Sequence, residues 1–167
     1  MALRNILKED DPTLRKRSRE VSEINERIII LLDDMKETMT EGAGVGLAAP
    51  QVGVLRRVFI ASLVNDQEEN ELKEFIDPEI IEAEGEQEGD KGCLSVPGYI
   101  GTVKRPKRIR IKYKDRHGNE KVEDFTDFHA VVVSHEFDHL EGILYTDKAK
   151  DIREAVSGAH DEEETDI

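Results

Sequence analysis

Residues 128–140 constrain the fold of this chain more than any other part of the sequence. Besides Phe128 at its start, the apolar residues of the segment are Ala130, Val131, Val132, Val133, Phe137 and Leu140. Placed on a helix, they point in all directions, which is the pattern of a helix buried on every side. The β-branched run is also compatible with a strand, but Gly142 just beyond it suits the end of a helix. The sequence therefore predicts a buried helix that the rest of the chain must surround.

The motif HExxH lies inside this apolar segment, at residues 135–139. Residues four apart share one helical face, so the imidazoles of His135 and His139 can reach a single metal ion. Glu136 follows the first histidine and can point at the water that such a metal activates. Two ordinary solvent-facing histidines are the alternative. Because unpaired polar groups are costly in an apolar segment, we favour the metal site.

A catalytic metal site of this kind needs a third protein ligand and keeps one position open. In the longer pattern HExxHxxGxxH, Gly142 matches the glycine, but Tyr145 stands where the last histidine would be. Glu154 is a distant carboxylate that could serve in a metalloprotease. Cys93 is the only thiol, and its thiolate would complete a Cys-His-His set. A free cysteine is more commonly a small buried hydrophobe, so both third ligands stay open here.

Charge and composition exclude several classes of function. The chain has 24 Lys and Arg against 38 Asp and Glu, for a net charge of −14. This charge argues against a protein that wraps nucleic acid or binds to the surface of an anionic membrane. The longest apolar run has five residues, at 28–32, far short of the ~18 of a membrane span. The start of the chain lacks an apolar signal core. A single cysteine allows no intrachain disulfide and fits a reducing cytoplasm.

The remaining patterns predict further elements of an α+β fold. Residues 28–39 follow helical spacing behind Asn25, which suits a helix N-cap. Residues 58–64 are typical of a buried strand, and the Asp-Pro pair at 77–78 interrupts another strand or places it at an edge. Residues 109–113 alternate apolar and basic side chains, as in a half-buried strand that continues into a hairpin.

One domain accounts for most of the chain, since single domains contain roughly 100–200 residues. We expect a single catalytic metallohydrolase domain over residues 1–157. The last seven residues hold five carboxylates and no base, so residues 158–167 are expected to form an acidic, disordered tail.

Two charged stripes predict neighbouring strands. The acidic stripe, with a carboxylate at every second position, consists of Glu82, Glu84, Glu86, Glu88 and Asp90. The basic stripe has the same period and consists of Arg108, Arg110, Lys112 and Lys114. Two independent solvated faces are the simpler interpretation. The sharper hypothesis is that the stripes lie side by side with opposite charges facing each other across the strands.

Three blocks in order resemble the peptide deformylase family. Residues 44–51 match the family's GxGLAAxQ, residues 92–95 match EGCLS apart from its first residue, and residues 135–139 match HExDH. The weaker matches DPEI at 77–80 and VKRP at 103–106 agree with these. The resemblance covers residues 7–147 and implies antiparallel sheets packed around a buried central helix that carries HExxH.

The resemblance also implies an activity and its partners. The family hydrolyses the N-formyl group from the initiator methionine of nascent proteins and releases formate. Its substrates are N-formyl-methionyl peptides, and the ribosome is a further candidate partner; no direct nucleic-acid or membrane binding is expected. The implied metal is Fe²⁺, which Zn²⁺, Ni²⁺ or Co²⁺ can replace, and the implied location is the cytoplasm.

The family's functional residues transfer to matching positions of this sequence. Cys93, His135 and His139 become the metal ligands and Glu136 the general base. The Gln51 side-chain amide and the Leu94 backbone N–H become the oxyanion donors. The peptide binds as an added strand, with methionine in an apolar pocket. The substrate-binding residues expected from this are Gly44, Val45, Gly46, Gly92, Val131 and Val132.

Departures from the family pattern leave two alternatives open. Lys91 stands where the family has a glutamate that pairs with the arginine at Arg105, so Lys91 is expected to face a like charge. Ser134 replaces a glutamine before HExDH, and residues 127–130 also differ. The alternatives are an HExxH metalloprotease with another third ligand, and a catalytically decayed protein that only binds N-termini.

Overall fold

The predicted central helix is confirmed. The computed structural model describes residues 2–155. Helix α2 runs Asp127–Leu140, and ten of its 14 residues are buried. Gly142 follows its end in the left-handed conformation, with φ of 76°. An added Cβ at Gly142 would lie 2.6 Å from the carbonyl oxygen of Arg15, so glycine lets the chain leave the helix against that segment. Residues 158–167, expected to be a disordered tail, lie outside the described residues.

A five-stranded antiparallel sheet covers α2 on one side. Within residues 2–155 its strand order is β1-β2-β3-β6-β7. The strands are β1 Gly46–Ala48, β2 Val58–Val64, β3 Asn70–Glu84, β6 Arg108–Lys114 and β7 Glu120–Thr126. Along β6, Ile109, Ile111 and Tyr113 are buried while the basic residues between them are half-buried or exposed, which confirms the predicted two-residue period.

Helix α1, Glu26–Glu41, covers the other face of this sheet at β1 and β2. The side chain of Asn25 caps it by accepting a hydrogen bond from the Ile28 N–H at 3.2 Å, as predicted. Val58 and Ile60 pack with α1, whereas Phe59 and Ala61 pack with α2. Strand β2 is therefore apolar at every position except Ser62, because helices cover both of its faces.

A second sheet brings the cysteine to the central helix. It has the order β4-β5-β8 among the described residues. Its strands are β4 Gln87–Cys93, β5 Val96–Arg105 and β8 Lys150–Glu154. The β4–β5 hairpin places Cys93 in a small core with Val96, Val103 and Tyr145, the first residue of the short helix α3, Tyr145–Lys148. None of the helices in the described part is both long and apolar enough to cross a membrane.

The interruption predicted at residues 77–78 is a bulge within one strand. Asp77 has a φ of 50°, and the register of β3 against β6 shifts between Ile76 and Glu79. Strand β3 is central, between β2 and β6, so the edge-strand alternative is wrong. The bulge frees the Asp77 carboxylate to accept a hydrogen bond from the Val21 N–H at 2.8 Å.

The charged stripes meet over only part of their length. Glu82 lies opposite Arg110 and Glu84 opposite Arg108, as predicted, and Arg108 contacts both carboxylates at 2.5 and 3.0 Å. The chain then turns at Gly85, φ 75°, and leaves the sheet. The prediction is wrong for the acids that follow. Glu88 and Asp90 lie in the second sheet, where they pair with Lys150 and Arg153 of β8.

Candidate metal centre

Three predicted ligands converge in the interior. Cys93 ends β4, and His135 and His139 lie one turn apart on α2. The Cys93 Sγ is 3.5 Å from the His139 Nε2, which is 3.2 Å from the His135 Nε2. The three ligand atoms lie within 4.8 Å of one another, and each residue is buried. Glu154, the alternative third ligand, is exposed on β8 and is not part of this cluster.

The donor set fits a divalent transition metal. Burial lowers the pKa of His139 to about 4, and burial together with nearby positive charges lowers the pKa of His135 well below its ordinary value. Both imidazoles are therefore neutral near pH 7, which is the form that binds metals. One thiolate and two imidazoles form a set suited to Zn²⁺ and Fe²⁺.

Glu136 is a fully buried carboxylate beside these ligands. Neither of its oxygens has a hydrogen-bond partner among residues 2–155. Burial raises its pKa well above the ordinary value, although the positive charge of Arg105 opposes this. A buried carboxylate without partners is costly, so Glu136 calls for a functional explanation rather than a structural one.

Gly46 makes room for the Glu136 side chain. A Cβ added at position 46 would lie 2.5 Å from the Glu136 Oε2 and 2.9 Å from its carboxyl carbon. The resemblance assigns Gly46 to substrate binding, and nothing in the sequence indicates this contact. The residues are 90 positions apart, and no local pattern connects them.

Gly46→Ala is expected to lower kcat by roughly 10–100-fold, because the new methyl group must displace the Glu136 carboxylate by about 1 Å. Gly89→Ala is the matched control, since a Cβ there meets nothing within 4 Å and Gly89 has no positive φ. Steady-state formate release from a formyl-methionyl peptide, the activity that the sequence resemblance implies, measures kcat in both variants. Equal kcat values in the two variants would contradict the contact.

Gln51 is held with its amide NH₂ beside the thiol. Its Oε1 accepts a hydrogen bond from the Ala48 N–H at 3.0 Å. Its Nε2 donates to the Ser95 Oγ at 3.0 Å and lies 3.6 Å from the Cys93 Sγ. The backbone contact fixes which end of the amide faces the ligands. Ser95 was not singled out by the sequence, although it lies only two residues after the cysteine.

The segments predicted to bind substrate lie side by side. A Cβ at Gly44 would lie 2.7 Å from the Leu94 side chain, so residues 44–46 and 92–94 border each other next to the ligands. Val131 and Val132 are buried, and Val45 packs against the same apolar cluster. Their assignment to a methionine pocket stays a prediction.

The partner of Arg105 is an acid on the metal-binding helix. Arg105 pairs with Asp138 at 2.5 Å, and Lys148 reaches the same carboxylate oxygen at 3.1 Å. The ammonium of Lys91 lies 4.8 Å from the centre of the Phe128 ring. The sequence predicts Lys91 as the neighbour of Arg105 and does not indicate Asp138 as its partner.

Arg105→Met is expected to lower the free energy of unfolding by about 3 kcal/mol, because it removes one partner of a buried pair. Lys148→Met is the control. It removes a side chain that is 44% exposed from the same carboxylate, and such pairs contribute about 1 kcal/mol or less. Chemical denaturation measures both variants, and equal losses would contradict the greater weight given to Arg105.

Comparisons with known proteins agree with this geometry. A family model described as polypeptide deformylase matches residues 3–155. A peptide deformylase of Caldanaerobacter subterraneus subsp. tengcongensis is 52% identical over 148 residues, which cover 89% of this chain and 90% of that protein. Peptide deformylase 1 of Clostridium perfringens is 49% identical, covering 88% and 98%.

Solved structures give the same result. The crystal structure of the peptide deformylase from Thermotoga maritima has a TM-score of 0.84 at 36% identity, and the match covers 90% of this chain and 99% of that one. The peptide deformylase from Ehrlichia chaffeensis in complex with actinonin has a TM-score of 0.85 at 34% identity, covering 90% and 91%.

Proposed function

This chain belongs to the polypeptide deformylase family and has peptide deformylase activity, and from this premise we propose how its own residues carry out the reaction. The enzyme hydrolyses the N-formyl group of formyl-methionyl peptides and releases formate. The observation that carries the assignment of roles is the buried cluster of Cys93, His135 and His139 beside Glu136, a carboxylate without partners among the described residues.

Cys93, His135 and His139 would hold the metal, which we propose is Fe²⁺, with Zn²⁺, Ni²⁺ or Co²⁺ as substitutes. A divalent ion in such a site supplies Lewis acidity and lowers the pKa of water. Glu136 takes a proton from the attacking water and returns it to the departing amine. The new C–O bond forms at the formyl carbon, the C–N bond breaks, and formate and a free amino group result.

Gln51 and Leu94 would stabilise the negative charge that grows on the formyl oxygen. Support comes from the orientation of the Gln51 amide, whose NH₂ is directed toward Cys93 by the hydrogen bond from Ala48 to its Oε1. The backbone N–H of Leu94 follows the cysteine directly. Donors that are already fixed before reaction cost no reorganisation in the transition state.

The substrate would bind as an extra strand along residues 44–46, with Gly92 on the opposite side and the methionine side chain toward Val131 and Val132. Glycine permits close approach of a peptide backbone. A formyl carbon carries only hydrogen, so a tight site admits it and excludes bulkier acyl groups. We propose nascent chains in the cytoplasm, emerging from the ribosome, as the natural substrates.

Anaerobic purification, metal analysis and a formate-release assay on formyl-Met-Ala-Ser test the proposal together. We expect one metal per chain, iron in the most active preparation, and loss of activity on exposure to air, because oxygen oxidises ferrous iron and the reactive oxygen species formed there oxidise the thiolate beside it. The zinc-loaded enzyme is the control and is expected to keep its activity in air. Binding of the peptide without formate release would indicate a decayed, N-terminus-binding protein instead.

A further inference from the structure

A groove with three arginines lies at the start of α1, outside the metal centre. Its volume is about 340 Å³. Its apolar lining consists of Ile28, Ile30, Leu31 and Val54. Its charged lining, which we call the arginine rim, consists of Arg4, Arg27 and Arg56. Ile30 is 47% exposed, so an apolar surface is open to solvent between guanidinium groups.

The arginine rim is incompletely neutralised. Arg4 pairs with Asp34 at 2.9 Å. Neither Arg27 nor Arg56 forms an ion pair with another residue in the range 2–155. Acids outnumber bases in this chain by 38 to 24, and arginines elsewhere, such as Arg108 and Arg116, each pair with more than one carboxylate. The groove is therefore a positive site on a negative protein.

We propose that this groove binds the chain's own acidic segment, residues 161–167. The segment has the sequence Asp-Glu-Glu-Glu-Thr-Asp-Ile. Its five carboxylates complement the arginine rim, and the side chain of Ile167 matches the apolar lining. An unrelated polyanion would match the arginine rim but not the apolar lining. The chain's net charge of −14 would also repel it at long range.

The segment is long enough to reach the groove. Ala155 is the last described residue, and its N–H donates to the Gly98 carbonyl at 2.8 Å. Residues 156–160 act as the linker and let residue 161 lie up to about 20 Å from Ala155, while the full stretch to Ile167 spans up to about 40 Å when extended, close to the diameter of a domain whose radius of gyration is about 15 Å. The last residues of the segment are therefore the ones that reach furthest into the groove. Tethering gives a segment of this length an effective concentration near the millimolar range, so weak contacts suffice.

The test compares the zinc-loaded full chain with a variant that ends at His160, using backbone amide NMR spectra. Truncation is expected to move the amide signals of residues 27–31 and 54–56, and added peptide DEEETDI is expected to move them back. The peptide should bind the truncated chain at least about ten-fold more tightly than the full chain, where the tethered segment competes. About 0.5 M NaCl should abolish these shifts, because salt screens exposed charges.

Charge-reversal variants of the truncated chain supply the control. Arg27→Glu/Arg56→Glu should abolish the binding of added peptide DEEETDI, whereas Lys36→Glu/Lys104→Glu changes the same number of charges away from the groove and should leave it in place. The proposal is overturned if truncation leaves the groove signals in place, or if oligouridylate binds the full and truncated chains equally. Formate release does not depend on this contact, so a failure here leaves the deformylase assignment unaffected.

Discussion

Glu136→Gln is expected to retain its metal and to lose formate release by about 10²–10⁴-fold, the usual cost of removing a general base. The ligand atoms come from Cys93, His135 and His139, so the substitution leaves metal binding intact. Glutamine has nearly the same shape as glutamate, so it fits the space beside Gly46. What it lacks is the ability to accept a proton from water and return it to the amine.

Metal content and turnover must be measured on the same sample, because an activity assay alone does not distinguish loss of the general base from loss of the metal. Asp138→Asn is a useful second comparison, because it also neutralises a carboxylate on α2, one that pairs with Arg105 and Lys148. We expect its main effect on stability. A Glu136→Gln enzyme with most of its turnover and a full complement of metal would contradict the role of Glu136.

The sequence predicts the parts of the fold that depend on local periodicity. The helix around the HExxH motif, the cap at Asn25 and the alternation along β6 follow from local spacing together with residues that suit helix ends, Asn25 and Gly142, and all are present. The residue at which β3 ends could not be predicted in this way. Glu84 and Glu88 continue one alternating stripe, but Gly85 turns the chain between them and sends them to different sheets. A period of two cannot show where a strand stops.

The functional site likewise contains residues that the sequence predicts and contacts that it does not. The two histidine ligands could be predicted because they share a helix face, whereas the residues alone left Cys93 and Glu154 open as third ligands and the resemblance to the deformylase family pointed to Cys93. The contact of Gly46 with Glu136, the pairing of Arg105 with Asp138, and the hydrogen bond from Gln51 to Ser95 join segments that are far apart in the sequence. Such contacts depend on how the two sheets meet α2, which single-sequence patterns do not contain.

Cys93→Ala is expected to lose the metal, and with it nearly all formate release, whereas Glu154→Ala is expected to keep both. Loss of a side chain that only supports a ligand typically weakens metal binding by about 10–100-fold, and loss of the thiolate itself should exceed that. Alanine also leaves Gln51 its hydrogen bond to Ser95, so the surroundings of the site stay in place.

Competition with a chelator measures the metal affinity of both variants against the unsubstituted enzyme, and denaturation checks that each is folded. The comparison separates the two kinds of HExxH enzyme, because a metalloprotease of the alternative type would use a carboxylate as its third ligand. Retained metal in Cys93→Ala together with lost metal in Glu154→Ala would exclude the cysteine site. Glu154 is exposed on β8 and lies outside the cluster of ligand atoms. The geometry therefore predicts that, of these two variants, only Cys93→Ala loses the metal.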